Sequence, residues 1–141
     1  MISFRELVKN PEVVMPSMDI LVNLYRLQYC LNYIRVLRDV PMAITSGLRS
    51  QEDHFRIYQT INASRRVRGL PPIMVPTKSM HLIGAAADVG DPDQSFKEWI
   101  VKNNALCQEL HLSFENFAYT PTWVHVQVYP PRSGEMFFKP Y

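Results

Sequence analysis

Residues 123–129 read Trp-Val-His-Val-Gln-Val-Tyr, and their alternation decides the fold class. Side chains on a strand point to opposite faces in turn, so the spacing predicts a strand with Val124, Val126 and Val128 toward a core and His125 and Gln127 on the other side. Pro130 and Pro131 end it. Just upstream, LSFENFAY over 112–119 predicts a second strand, joined to the first by a turn around Tyr119 to Pro121. Further out, Ile20, Leu24, Leu27, Leu31 and Ile34 recur at helical spacing, which predicts one long helix from Ser17 to about Asp39 whose inner face Leu21, Tyr25 and Leu37 widen. Ser3 and Glu6 make a capping-box pattern over a short helix that Pro11 ends. Pro41 stops the long helix, Met42 to Ser46 reads as a short strand, and Ser50 with Asp53 opens a third helix to about Ile61. Asn62 to Lys78, with Arg65, Arg66, Arg68 and three prolines, reads as a surface loop. Ala85 to Val89 reads as a brief buried strand, and Asp93 begins a helix that turns Phe96, Trp99 and Ile100 inward. The expected architecture is α+β: a small antiparallel sheet with helices packed on one side.

At 141 residues, with no repeat or linker, the chain reads as a single domain over 1–141. Hydrophobic residues are 47% and charged residues 20%, proportions that exclude disorder and low complexity. A domain of this size buries enough surface to stand without disulfides or metal, so any metal serves chemistry. The net charge of +2 is too small to imply a polyanion partner, and nucleic acid is not expected. Cys30 and Cys107 sit in apolar helical contexts outside any C-x-x-C pair and read as buried free thiols. The charged N-terminus is unlike a secretory signal, and no run of 18 apolar residues suggests a membrane span. Synthesis in the cytoplasm without a signal peptide is the expectation.

The densest chemistry lies in Ser79 to Asp88, SMHLIGAAAD, where His81 and Asp88 stand seven residues apart across a glycine and three alanines. Gly84 can adopt backbone conformations closed to other residues and the alanines allow close packing, so the two side chains can converge. His125, projecting away from the valine face, is the candidate third donor. His/Asp/His suits Zn²⁺, and three protein donors leave a fourth position open, as in catalytic rather than structural sites. Spacing alone equally allows a loop histidine, a capping aspartate and a half-buried strand histidine.

The pattern S-x-H-x-x-G-x-A-x-D, here Ser79, His81, Gly84, Ala86 and Asp88, is followed by W-x-H at Trp123 and His125 and preceded by S-G-x-R at Ser46, Gly47 and Arg49. In this order the three motifs resemble those of the zinc peptidases that trim bacterial wall peptides. These are the D-alanyl-D-alanine carboxypeptidases and phage L-alanyl-D-glutamate endopeptidases, which share a fold with the Hedgehog signalling domain. The resemblance implies that fold, zinc held by His81, Asp88 and His125, and a peptidoglycan stem-peptide substrate held by Arg49 and Ser79. Together with the N-terminus unlike a secretory signal, it fits a phage endolysin or virion-associated enzyme that reaches the cell wall after lysis-type release or from the particle. Arg49 has independent support, because a guanidinium grips carboxylates bidentately, although a surface ion pair with Glu52 or Asp53 is its ordinary alternative.

One position departs from the family. Members with the fuller third motif carry a glutamate three residues before the second histidine, and here that residue is Thr122, which cannot act as a base near neutral pH. Glu115 is the replacement candidate, since a hairpin register that sets it opposite His125 turns both side chains to one face. Gln127 shares that face, either as a substrate or oxyanion contact or as a hydrogen-bonding support for a ligand. His54, one turn into the third helix, reads as an ordinary exposed histidine, with lining of the cleft as the alternative, and His111 is given no role. The competing reading is a catalytically inactive zinc-bearing binding or structural module. A nucleic-acid patch of Arg65, Arg66, Arg68 and Lys78 is the weakest alternative.

Overall fold

A computed structural model describes residues 1–9 and 16–140. The first helix, α1 (Phe4–Leu7), is closed by the reciprocal Ser3 and Glu6 capping box and has already ended at Val8. Pro11, expected to terminate it, lies outside the described residues. Helix α2 (Met18–Arg38) starts where the Ser17 hydroxyl accepts from Ile20 N–H and stops at Asp39, whose φ of 53° leaves the right-handed helix. It buries Leu24, Leu27, Cys30, Leu31 and Ile34. Tyr25 and Leu37, expected on that face, are exposed instead. Tyr25 follows Leu24 by 100° of helix rotation and turns out of the core, its ring tilting against Phe4 at 5.4 Å. Leu37 lies past Ile34, where the buried series ends.

Strands β1 (Ile44–Ser46), β2 (Ala86–Gly90), β3 (Ser113–Glu115), β4 (Trp123–Gln127) and β5 (Phe137–Phe138) form one sheet in the order β1-β2-β4-β3-β5. The sheet is mixed, not antiparallel as expected, because β3 pairs with β5 in parallel. After β4 the chain passes through Pro130, Pro131 and the left-handed Gly134 to the outer edge of β3. There it must run opposite to β4 and therefore with β3. Neither β5 nor the helix α5 (Asn104–Glu109) was anticipated from periodicity, since both are too short to establish one.

One face of the sheet carries Ile44, Ala87, Val89, Phe114, Val124 and Val126 into a core closed by α1, α2, α4 (Ser95–Lys102) and α5. Both cysteines are free and buried there, and burial pushes the Cys107 thiol up to about 11. Helix α3 (Gln51–Val67) supplies nothing to this core. It runs six residues beyond the expected end at Ile61, because no breaker intervenes before Gly69, whose φ is 70°. Arg65 and Arg66 thus belong to a helix end rather than a loop, and Asn62 pins the returning chain through two hydrogen bonds to Ile73.

Helix α4 begins at Ser95 rather than Asp93, and buried Asp91 accepts from Phe96 and Lys97 N–H at its first turn. The Lys97 ammonium, also buried, donates to the carbonyls of Thr120 and Pro121 and to Gln94 Oε1. Those contacts fix the turn from which β4 departs.

Two glycines are required by space. A Cβ on Gly47 would run into the Leu7 carbonyl, which accepts from Leu48 N–H at 2.8 Å. Gly84 has φ 70°, and a Cβ there would meet Leu24 at 2.9 Å. Gly69 shares that φ with open space around it. Gly47→Ala is therefore expected to cost more than about 2 kcal/mol and Gly69→Ala about 1 kcal/mol, as read from urea unfolding midpoints.

Candidate metal centre

The sheet's second face carries a row of polar side chains across four strands. Ser46 pairs with Asp88, and Asp88 with His125. On the far side, Ser113 faces Gln127 and Phe114 faces Val126, so continuing the register puts Glu115 opposite His125. A bulge completes the row. Ile44 and Ser46 would share a face in a regular strand, yet they pair with the adjacent residues Val89 and Asp88, so Ile44 enters the core while Ser46 faces the site. His81 arrives from outside the sheet, on a 3₁₀ turn (Met80–Ile83) that Ser79 caps by accepting from His81 N–H and that Gly84 closes in the left-handed conformation.

His81, Asp88 and His125 are all buried, and one donor atom from each lies within 4.8 Å of the others. Asp88 Oδ1 stands 3.0 Å from His125 Nδ1 and 3.4 Å from His81 Nε2. The two rings meet edge to face at 5.0 Å. This group can hold a metal ion. The hydrogen bonds around it say which nitrogens face inward. His81 Nδ1 is 2.8 Å from the Gly47 carbonyl, which only accepts, so Nδ1 carries the hydrogen and Nε2 a lone pair. Gln127 Nε2 donates to the Tyr129 carbonyl at 2.7 Å, which turns Gln127 Oε1 toward His125 Nε2 at 3.2 Å. His125 Nε2 therefore donates, and Nδ1 faces Asp88. Two imidazole nitrogens and a carboxylate oxygen thus point at one place, where either a proton on His125 Nδ1 or a cation bound among them satisfies the carboxylate.

Burial opposes the Asp88 charge, but the hydrogen bond that protonated His125 donates from Nδ1 and the nearness of the two imidazoles outweigh it and hold the carboxyl well below its usual range. Burial lowers the pKa of His81, so that ring is neutral and ready to coordinate. For His125, burial is overcome by the hydrogen bond and charge of Asp88, by the charge of Glu115 and by Gln127, and its pKa rises. Glu115 is half-buried at the end of β3, and burial raises its carboxyl above the ordinary glutamate value.

Arg49 donates from Nη2 to Asp88 Oδ2 at 3.0 Å and from Nε to Ser46 Oγ at 2.9 Å, so it pairs with neither Glu52 nor Asp53. Oδ1 faces the two imidazoles. Arg49 N–H also donates to the His81 carbonyl, and together with the Gly47 bond this ties the β1–α3 connection to the 3₁₀ turn. Gln127 is committed to His125 and Tyr129, which makes it a support for the ring. His54, expected to be exposed, is buried with Nε2 at 2.7 Å from the Pro76 carbonyl, because α3 is roofed by the prolyl segment that returns over it. His111 is an exposed turn residue with φ 54°.

Three participants escaped the sequence reading: the Gly47 and Tyr129 carbonyls and Phe138, whose ring stands edge-on to His125 at 5.9 Å. A carbonyl leaves no mark in residue type. The S-G-x-R motif was the available signal for Gly47.

Comparison of the chain with protein-family models, curated proteins and solved structures found no match. The site's own chemistry therefore carries its functional meaning. Among the described residues, no helix is long and apolar enough to cross a membrane.

Gln127→Leu is expected to weaken metal affinity by about 10- to 100-fold while leaving the fold intact, as measured by competition with a chromophoric chelator. Because the raised pKa of His125 keeps a proton on the ring to higher pH, affinity should fall as pH drops through that titration. Calorimetry in buffers of different ionisation enthalpy should show proton release on metal binding.

Proposed function

We propose that the protein is a zinc-dependent peptidase acting on peptidoglycan stem peptides, of the D,D-carboxypeptidase or L-alanyl-D-glutamate endopeptidase type and of the kind a phage deploys as a lysin or virion component. The observation that carries this reading is the convergence of two imidazole nitrogens and the Asp88 carboxylate beside a second, half-buried carboxylate, Glu115. Two nitrogens and one oxygen form a donor set suited to zinc, and among the described residues the group has three protein donors, which is the pattern of catalytic sites. Bound among them, zinc supplies Lewis acidity and activation of water near neutral pH.

The rest of the chemistry falls to the chain's own side chains. Glu115 lies on the site face next to His125, and its raised pKa brings a carboxylate closer to the range in which it takes a proton from attacking water and delivers it to the departing amine. It fills the role that Thr122 cannot, since Thr122 sits in the turn before β4 with its carbonyl accepting from Asp91 N–H. Arg49 Nη1 offers a donor to a substrate carboxylate or to a developing oxyanion, already oriented by Ser46 and Asp88. Ser79, whose oxygen accepts from His81 N–H, retains its hydroxyl hydrogen for a peptide carbonyl. Gln127 holds His125 in the tautomer that turns Nδ1 to the metal.

The second reading, a zinc-bearing binding module without catalysis, is favoured by the one observation that Thr122 replaces the expected acid. Purified protein, His125→Ala and Glu115→Gln separate the two when assayed for zinc content and for release of amino groups from purified cell wall. His125→Ala is expected to lose metal and activity together. Glu115→Gln is expected to keep zinc and lose activity by about 10²- to 10⁴-fold. Zinc uptake by the unaltered protein with no amine release from any wall chemotype would select the binding module.

A further inference from the structure

Helix α2 is apolar on two sides. Its inner face fills the core, while Met18, Val22, Tyr25, Tyr29, Tyr33 and Val36 form an outer stripe with each residue 40 to 73% exposed. Their spacings of four, three, four, four and three average the 3.6 residues of a straight helix, so the stripe runs along one line of the helix surface. The helix has 21 residues and is about 31 Å long. A groove of about 500 Å³ follows the stripe between Met1, Tyr25, Tyr29 and Val36.

We infer that this stripe is a homodimer interface, with α2 of one copy packed against α2 of a second. The area is sufficient. Three tyrosines, 40 to 67% exposed, with Met18, Val22 and Val36 present an apolar area of the same order as the roughly 800 Å² that one partner contributes to a standard interface. The composition fits as well, because tyrosine and methionine are enriched at interface cores, where charged groups are depleted. The arginines of the helix turn off the stripe. Arg26 lies over the Tyr129 ring at 5.7 Å, Arg38 lies over Phe96 at 4.7 Å, and Arg35 stands near Glu6. That leaves little cationic charge to attract an anionic polymer or a lipid surface.

A polar ligand such as a glycan is a poor occupant. Of the amide side chains beside the groove, Asn32 holds both the N–H and the carbonyl of Ile2, and Gln28 donates to that same carbonyl. A straight, uncharged stripe is complementary to itself about a twofold axis, as an isologous contact requires. The core separates α2 from the sheet, and the metal group lies on the sheet's other face. A dimer built on α2 therefore leaves both sites uncovered.

Sedimentation velocity of the purified chain across about 1 to 100 µM tests this. The expected result is a species of twice the 16.4 kDa chain, with Tyr29→Glu weakening the association by about 30-fold or more and leaving zinc binding unchanged. Zinc binding also serves as the check that the variant is folded. Tyr29→Cys is expected to form an intermolecular disulfide on mild oxidation, against a clean background because Cys30 and Cys107 are buried. A wild-type chain that stays monomeric throughout overturns the proposal and assigns the stripe to a different partner. So does a dimer that survives Tyr29→Glu.

Discussion

A carboxylate held away from water must be met by hydrogen bonds and positive charge, and the polar half of this protein is arranged around that demand at Asp88. One oxygen is paired with Arg49, while the other is shared between two imidazoles. Each of those partners is fixed by something further out. Ser46 orients Arg49, the Gly47 carbonyl orients His81, and Gln127 with the Tyr129 carbonyl orients His125. Removing an outer contact loosens a ring or a guanidinium without touching a donor, which weakens the focus of donors rather than any one of them.

The same demand links the site to the core. Asp88 and His125 stand opposite each other only because Ala87 and Val89, on β2, and Val124 and Val126, on β4, face the other way into the apolar cluster. Burying the valines sets the register, and the register brings the aspartate to the histidine. The alanines matter for the same reason. Residues 85 to 87 are fully buried with almost no side chain, so the chain passes straight from the 3₁₀ turn into β2 without bulk that the packed interior would have to accommodate.

Much of this was legible in the chain. The period-two valines mark β4 and its two faces, the helical leucines mark α2, and the motifs S-x-H-x-x-G-x-A-x-D and W-x-H, rather than spacing alone, single out the three residues that the fold brings together. What stayed hidden did so for physical reasons. The parallel pairing of β5 depends on where a proline-rich connection lands, which is decided by tertiary contacts at Phe114 and Asn116 rather than by local preference. The bulge in β1 turns Ser46 to the face where its hydroxyl accepts from Arg49, a contact three residues on that strand periodicity does not encode. The outer face of α2 was misread at Tyr25 and Leu37 because apolar character all round a helix does not say which side is inward.

Helix α3 stands apart from this interlocking. It springs from Arg49 at the rim of the metal group, yet none of its residues belongs to the apolar cluster, and its main tether is the prolyl return through Asn62 and His54. An arm attached in that way can be lengthened, trimmed or exchanged with little penalty to the sheet, so the surroundings of Arg49 can be remodelled while the buried His81, Asp88 and His125 beneath go on unaltered.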